Sequence, residues 1–346
     1  MKYATGLLAV GLVCALTAAA HAIMSAPEPP GLTIETDLLI TTAGPPANYV
    51  TPATDYTGVV NIFTNNVRGT GTLISGENGD FILTAAHLLD VMAIGQTQIK
   101  FDLPGGAVYM TAAEFIRHPT WAGQYTLGYD IALIRLNGPA PATADRYTLY
   151  WDDDEVGQVG DKVGYGRSGT GTQGVTGGSG TKRDGENLYD ALGEVFYDTY
   201  GDNGLPTPLF GSQLVYDFDN GQAANDALGL FFGLGNTGVG AGEVAATFGD
   251  SGGPTFINGQ IAGITSYGLR LTSQDGTSSD IDALLNSSFG EFVVDTRVSY
   301  YAQWIDSKVL FESGTPTSGA IPEPVTLAGA MMGLLMLGRY AAGRKG

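Results

Sequence analysis

Gly249-Asp250-Ser251-Gly252-Gly253-Pro254 is followed at once by Thr255-Phe256-Ile257, then Asn258-Gly259, then Gln260-Ile261-Ala262-Gly263-Ile264. Asn-Gly between two apolar runs is a strong hairpin signal, because both residues tolerate the positive φ of a tight two-residue turn. Ser251 therefore stands at the entry of a β-hairpin. That argues against a strand-to-helix elbow, the other common seat of an exposed nucleophilic serine. The flanking glycines let the backbone bend sharply and approach a bound group with no Cβ in the way. In a chain with 52 glycines a Gly-x-Ser-x-Gly pattern alone carries little weight, but the full six-residue string is far more specific.

Two segments upstream supply what such a serine needs. A serine hydroxyl is a weak nucleophile until a neighbouring base takes its proton. In Phe81-Ile82-Leu83-Thr84-Ala85-Ala86-His87 an apolar strand ends in small residues and then a histidine, which can pack closely and still face a cleft. In Tyr129-Asp130-Ile131-Ala132-Leu133-Ile134-Arg135-Leu136 an aspartate heads an apolar strand. A buried carboxylate is costly unless hydrogen-bonded, and accepting a histidine ring N–H is one solution. Taken singly, His87 reads as a core histidine and Asp130 as a strand cap. Read together with Ser251, they are the candidate catalytic set.

The rest of the chain reads as an all-β protein. Short apolar segments (TGVVNIF, GTLIS, DFILTA, TQIKFDL, DIALIRL, DKVGYG, SQLVYDF and GLFFG) alternate with turn residues from about residue 56, the pattern of barrel or sandwich strands. Gly-rich stretches at 164–185 and 227–242 read as long loops. Val298, Tyr301, Ala302, Ile305 and Val309 recur at helical spacing and predict a C-terminal helix with one buried face. The net charge of −19 disfavours nucleic acid and anionic lipid as partners.

The ends read differently. Lys2, the apolar run Leu7–Leu16 and Ala20-His21-Ala22 form a secretory signal over 1–22. Its removal takes the one cysteine, Cys14, so disulfides are excluded. Two histidines then remain, His87 and His118, and no metal or cofactor is expected from so few soft ligands. His118, in a His-Pro turn, reads as structural, and Asp152-Asp153-Asp154-Glu155 as a solvated acidic turn rather than the calcium site that its carboxylates could also form. Residues 23–55, rich in Pro, Ala and Thr, read as a leader or propeptide, and 311–320 as a linker. In 321–346, Pro322-Glu323-Pro324 precedes an apolar stretch, Val325–Gly338, and the basic residues Arg339, Arg344 and Lys345. That order resembles the PEP-CTERM sorting signal of Gram-negative bacteria. It implies an exported protein processed by signal peptidase and by a membrane-bound exosortase, with transient membrane contact through the apolar stretch.

Between residues 56 and 310 the segments carrying His87, Asp130 and Ser251, in that order, resemble the trypsin-like (chymotrypsin-fold) serine endopeptidases. The resemblance implies two six-stranded antiparallel β-barrels with a C-terminal helix and a protein or peptide substrate. It implies an oxyanion hole from the N–H groups of Gly249 and Ser251. Ser266 would bond Asp130, while Ser266, Tyr267 and Gly268 pair with substrate as an added strand. Ala245, six residues before the nucleophile, and Ala246 would line the specificity pocket and favour small-to-medium apolar side chains.

Three departures qualify the resemblance. Gly69, Leu88 and Thr247 stand where the family has cysteines. Glu243 lies close to the pocket position. The family's Ile-Val-Gly-Gly start, whose freed amine pairs with the residue at Asp250, is missing, and Tyr49-Val50 is a poor substitute. A cut within 23–55 is nonetheless expected. The rival expectation is a catalytically inactive, surface-displayed binding protein on the same fold.

Overall fold

The computed structural model describes residues 32–37, 41–200, 209–273 and 275–309. The signal segment, the linker and the sorting tail lie outside them, as does much of the leader. After β1 (Leu32–Asp37) and β2 (Thr41–Thr42), six strands close into an antiparallel barrel. They are β3 (Val59–Phe63), β4 (Arg68–Gly76), β5 (Gly79–Thr84), β6 (Gln98–Leu103), β7 (Gly106–Arg117) and β8 (Ala132–Leu136), in the order β3-β4-β5-β8-β7-β6. The alternation that sequence patterning rests on is plain in β6, where Ile99, Phe101 and Leu103 are buried and the residues between them are not. A short helix, α1 (Ala86–Val91), leaves the end of β5.

The second half is built from β9 (Val159–Gly164), β10 (Gly169–Thr170), β11 (Gly174–Val175), β12 (Arg183–Leu188), β13 (Ala191–Leu192), α2 (Val195–Tyr200), β14 (Gln213–Asp217) and α3 (Ala227–Phe232), then β15 (Val244–Ala245), β16 (Pro254–Ile257), β17 (Gln260–Ser273), β18 (Phe292–Arg297) and α4 (Val298–Val309). Its main sheet runs β12-β9-β16-β17-β18-β14-β13, with β1 added on β17, so it holds more than the six strands expected. A smaller sheet, β11-β10-β2-β15, draws its strands partly from the Gly-rich 164–185 stretch read as loop. The architecture is the all-β trypsin type with a C-terminal helix. Asn258 and Gly259, at φ 51° and 76°, turn β16 into β17 as the sequence required. The buried face of α4 is the predicted one and packs against residues of both halves, among them Leu83, Leu133, Phe256 and Ile264. Each such side chain contributes about 1.5–3 kcal/mol.

Two local readings are corrected. The GLFFG segment is not a strand: it lies in α3 and the turn after it, where the Asp226 side chain accepts the Gly229 N–H and Gly233 closes the end at φ 71°. The 152–155 turn is not wholly solvated. Asp152, Asp153 and Asp154 are exposed, but Glu155 is buried and holds Arg297 through both carboxylate oxygens.

β9 and β18 place a second buried ion pair in the core. Lys162 Nζ donates to Asp295 Oδ2 at 3.1 Å and to Thr255 Oγ1 at 2.9 Å, over the Tyr216 ring. Burial pulls the amine down to about 8, and Asp295 opposes that fall. Between about 8 and the ordinary lysine value of roughly 10.4, the unfolded chain binds a proton that the folded one does not. Stability contributed through this lysine therefore rises with pH across that window. Asp295→Asn removes the counter-charge, and urea unfolding at pH 7 should show a loss of about 3–5 kcal/mol.

Candidate active site

Asp130 is fully buried at the head of β8. One carboxylate oxygen accepts the backbone N–H of His87 at 2.9 Å. The other lies 2.7 Å from His87 Nδ1 and accepts the Ser266 hydroxyl at 2.6 Å. A carboxylate only accepts, so Nδ1 carries a proton, and in the neutral ring Nε2 is the nitrogen with the lone pair. Nε2 is buried without a hydrogen-bond partner. The ring of Tyr125 meets the imidazole edge-on at 5.3 Å and also packs on Tyr267, closing one side of the site. Sequence reasoning missed Tyr125, which opens a single 3-10 turn, Tyr125–Leu127, with no pattern around it. Thr296 of β18 bonds the Asp130 carbonyl at 2.9 Å, so the second sheet helps hold the aspartate.

The Gly249–Pro254 turn is seated on the first barrel. Thr70 donates its N–H to the Ser251 carbonyl at 2.9 Å and its hydroxyl to the Gly249 carbonyl at 2.8 Å. At Gly252, φ is +79°, and a Cβ there would lie 2.0 Å from Thr84 Oγ1 and 2.9 Å from Ala85 N. The missing side chain thus lets the turn close on the end of β5, beside the segment that carries His87. Among the described residues, Ser251 Oγ and His87 Nε2 are not hydrogen-bonded. In uncomplexed sites such bonds are often long and tighten only when substrate binds.

The N–H groups of Asp250, Gly252 and Gly253 are taken by backbone carbonyls, whereas those of Gly249 and Ser251 meet no backbone acceptor among the described residues. Asp250 itself is buried and accepts N–H bonds from Gly166 at 2.7 Å and Thr247 at 2.9 Å. Burial raises its carboxyl well above the usual range, against the pull of the Gly166 N–H and the Arg183 charge. These groups are the partners that the sequence left unidentified.

Ala245 and Ala246 are buried in one apolar cluster with Tyr216, Phe218, Phe289 and Val293. Val293 faces Gly268 across β17 and β18, a neighbour that only the register reveals. The Glu243 carboxylate is engaged by the N–H groups of Asp219 and Val239, both at 2.7 Å. Phe248, beside Gly249, is 44% exposed. Ser266, Tyr267 and Gly268 all lie on β17, but the edge expected to receive substrate is already in use. β1 pairs antiparallel with β17, Asp37 opposite Gly268, so an added strand reaching Gly268 must displace β1. Gly69 and Leu88, at positions where the family has cysteines, touch: a Cβ on Gly69 would lie 2.4 Å from Leu88. Apolar packing occupies that place. His118 stacks among Tyr129, Tyr301 and Trp304.

Residues 47–185 match the family model described as Trypsin. The match spans His87 and Asp130 and ends before Ser251. The chain is 27% identical over 247 residues to anionic trypsin of Bos taurus, covering 70% of this chain and 80% of that protein. It is 28% identical over 242 residues to cationic trypsin-3 of Rattus norvegicus, covering 69% and 78%. Trypsin of Sus scrofa is 24% identical, covering 69% and 84%. These likenesses, with the fold, support a trypsin-like serine protease, a hydrolase acting on protein.

Proposed function

We propose that this chain is an exported serine endopeptidase with Ser251 as nucleophile, His87 as general base and Asp130 as the carboxylate that orients the base. The observation that carries the reading is the Asp130–His87 bond, with the Gly249–Pro254 turn closing at Gly252 on Thr84 and Ala85, just before the histidine in the chain. Ser251 Oγ attacks the scissile carbonyl carbon as His87 Nε2 takes its proton. The N–H groups of Gly249 and Ser251 stabilise the oxyanion. The imidazolium then protonates the leaving amine, and water, activated by the same ring, hydrolyses the acyl-enzyme. Ala245, Ala246 and Val293 give the primary pocket an apolar lining, and the bonds to Glu243 turn that charge to other use. A small apolar side chain is the preferred occupant.

The leader fits this role as a segment that must leave. Pairing of β1 with β17 supports a processing step within 23–55 before substrate can align along Ser266–Gly268. The terminal segments support export by signal peptidase, followed by exosortase-type processing at the envelope of a Gram-negative cell.

A fluorophosphonate probe tests the activity directly. Protein cut between β1 and β2 should label stoichiometrically, and the chain beginning at residue 23 should label more slowly. Absence of labelling in the cut form would favour a non-catalytic binding protein. Across peptides varied only at the residue before the scissile bond, Ala or Val should exceed Arg in kcat/KM. A clear preference for Arg would refute the apolar pocket.

A further inference from the structure

The connection between β14 and β15 carries a group of acids that the proteolytic chemistry does not use. Asp217 ends β14, Asp219 follows two residues later, and Asp226 caps α3. Each brings a carboxylate oxygen within 4.8 Å of the other two, and all three are buried. Their protein partners account for only part of the set. Asp217 Oδ2 accepts the Leu228 N–H at 2.8 Å, and Asp226 Oδ1 accepts the Gly229 N–H at 2.6 Å. Asp217 Oδ1 and Asp219 Oδ1 are buried with no hydrogen-bond partner. Asp217 is 1% exposed and Asp219 3% exposed. Asp217, Glu243, Asp226 and Asp190 all act against the charged form of Asp219.

A buried, unpaired carboxylate oxygen is costly, and two of them on neighbouring aspartates, with no salt bridge to Asp217, Asp219 or Asp226 among the described residues, are costlier still. A bound cation removes that cost. The donors are all oxygen, which excludes the thiolate and imidazole chemistry of zinc sites. Magnesium keeps several waters and is rarely held by a cage of protein groups, whereas calcium takes six to eight oxygen ligands in irregular geometry.

We propose that Asp217, Asp219 and Asp226 form a calcium site in the β14–β15 connection. The ion would tie the end of β14 to the start of α3 and fix the chain that continues into Val244 and Ala245. It lies just after β14, where Phe218 shares an apolar cluster with Ala245 and Ala246, and it does not depend on the catalytic assignment.

The test uses the purified chain without its signal segment, stripped of divalent ions and titrated with calcium chloride. Calorimetry should show one site per chain, and the thermal unfolding midpoint should rise with calcium and fall when EDTA is added. Magnesium chloride at the same concentration should do much less. In Asp219→Asn both the heat and the calcium-dependent shift should be lost. The variant should fold, because the Asp219 Oδ1 it alters has no hydrogen-bond partner, and far-UV circular dichroism checks that. The proposal is overturned if the parent chain shows neither calcium heat nor a midpoint shift, a comparison that needs no variant. It is equally overturned if Asp219→Asn binds calcium unchanged, which would place the ion on an exposed acidic turn such as 152–154. Because binding and unfolding are read rather than hydrolysis, failure here is distinct from failure of the protease reading.

Discussion

Ser251→Ala should lower kcat for a peptide substrate by about a million-fold and leave KM within a few-fold. The hydroxyl is the atom that becomes bonded to the acyl group, so its removal abolishes the covalent route. What remains is stabilisation by the Gly249 and residue-251 N–H groups and by binding. Ser251 is buried, but its backbone is held by Thr70 and its neighbours Gly252 and Gly253 by Thr265 and Asp250, so the turn keeps its shape without the Oγ. His87→Ala should cost about as much, and the double variant little more, because groups that act as one unit lose their effect together. Steady-state kinetics on the three variants, with circular dichroism to confirm folding, gives the result. Losses that multiplied, or a Ser251→Ala enzyme within tenfold of the parent, would show that Ser251 and His87 do not act as one unit.

The parts of this site legible in the sequence are those whose chemistry is written into contiguous residues. The glycines around Ser251 are needed where they stand, Gly252 because Thr84 and Ala85 leave no room for a Cβ. The small residues before His87 and the apolar run after Asp130 likewise announce close packing and a strand. Ser266 was reached through the family resemblance, and its hydroxyl lies on the expected carboxylate. What stayed hidden depends on distant partners. Val293 joins the Ala245–Ala246 cluster through the β17–β18 register, Glu155 is buried because Arg297 meets it from the end of β18, and β1 covers β17 from the other end of the chain. α3 was misread for a different reason. A short apolar run does not distinguish strand from helix, and the deciding signals were its cap, Asp226, and its terminator, Gly233.

Asp130→Asn isolates what the carboxylate does beyond filling space. In the parent, its two oxygens receive the His87 backbone N–H, the ring Nδ1–H and the Ser266 hydroxyl. An amide of the same shape offers one acceptor oxygen and one NH2 donor. If the oxygen keeps the backbone N–H, the NH2 faces Nδ1, which must then accept. The ring proton moves to Nε2, and the base can no longer receive the serine proton. The expected cost is about 10⁴-fold in kcat, with KM little changed and the fluorophosphonate labelling rate falling in parallel. Nitrogen-15 NMR of the imidazole supplies the decisive readout, showing Nδ1–H in the parent and Nε2–H in the variant. Ser266→Ala removes one donor and leaves the tautomer alone, so it should slow the reaction far less. If Asp130→Asn retained most of its turnover after the proton had moved, His87 would not be the base.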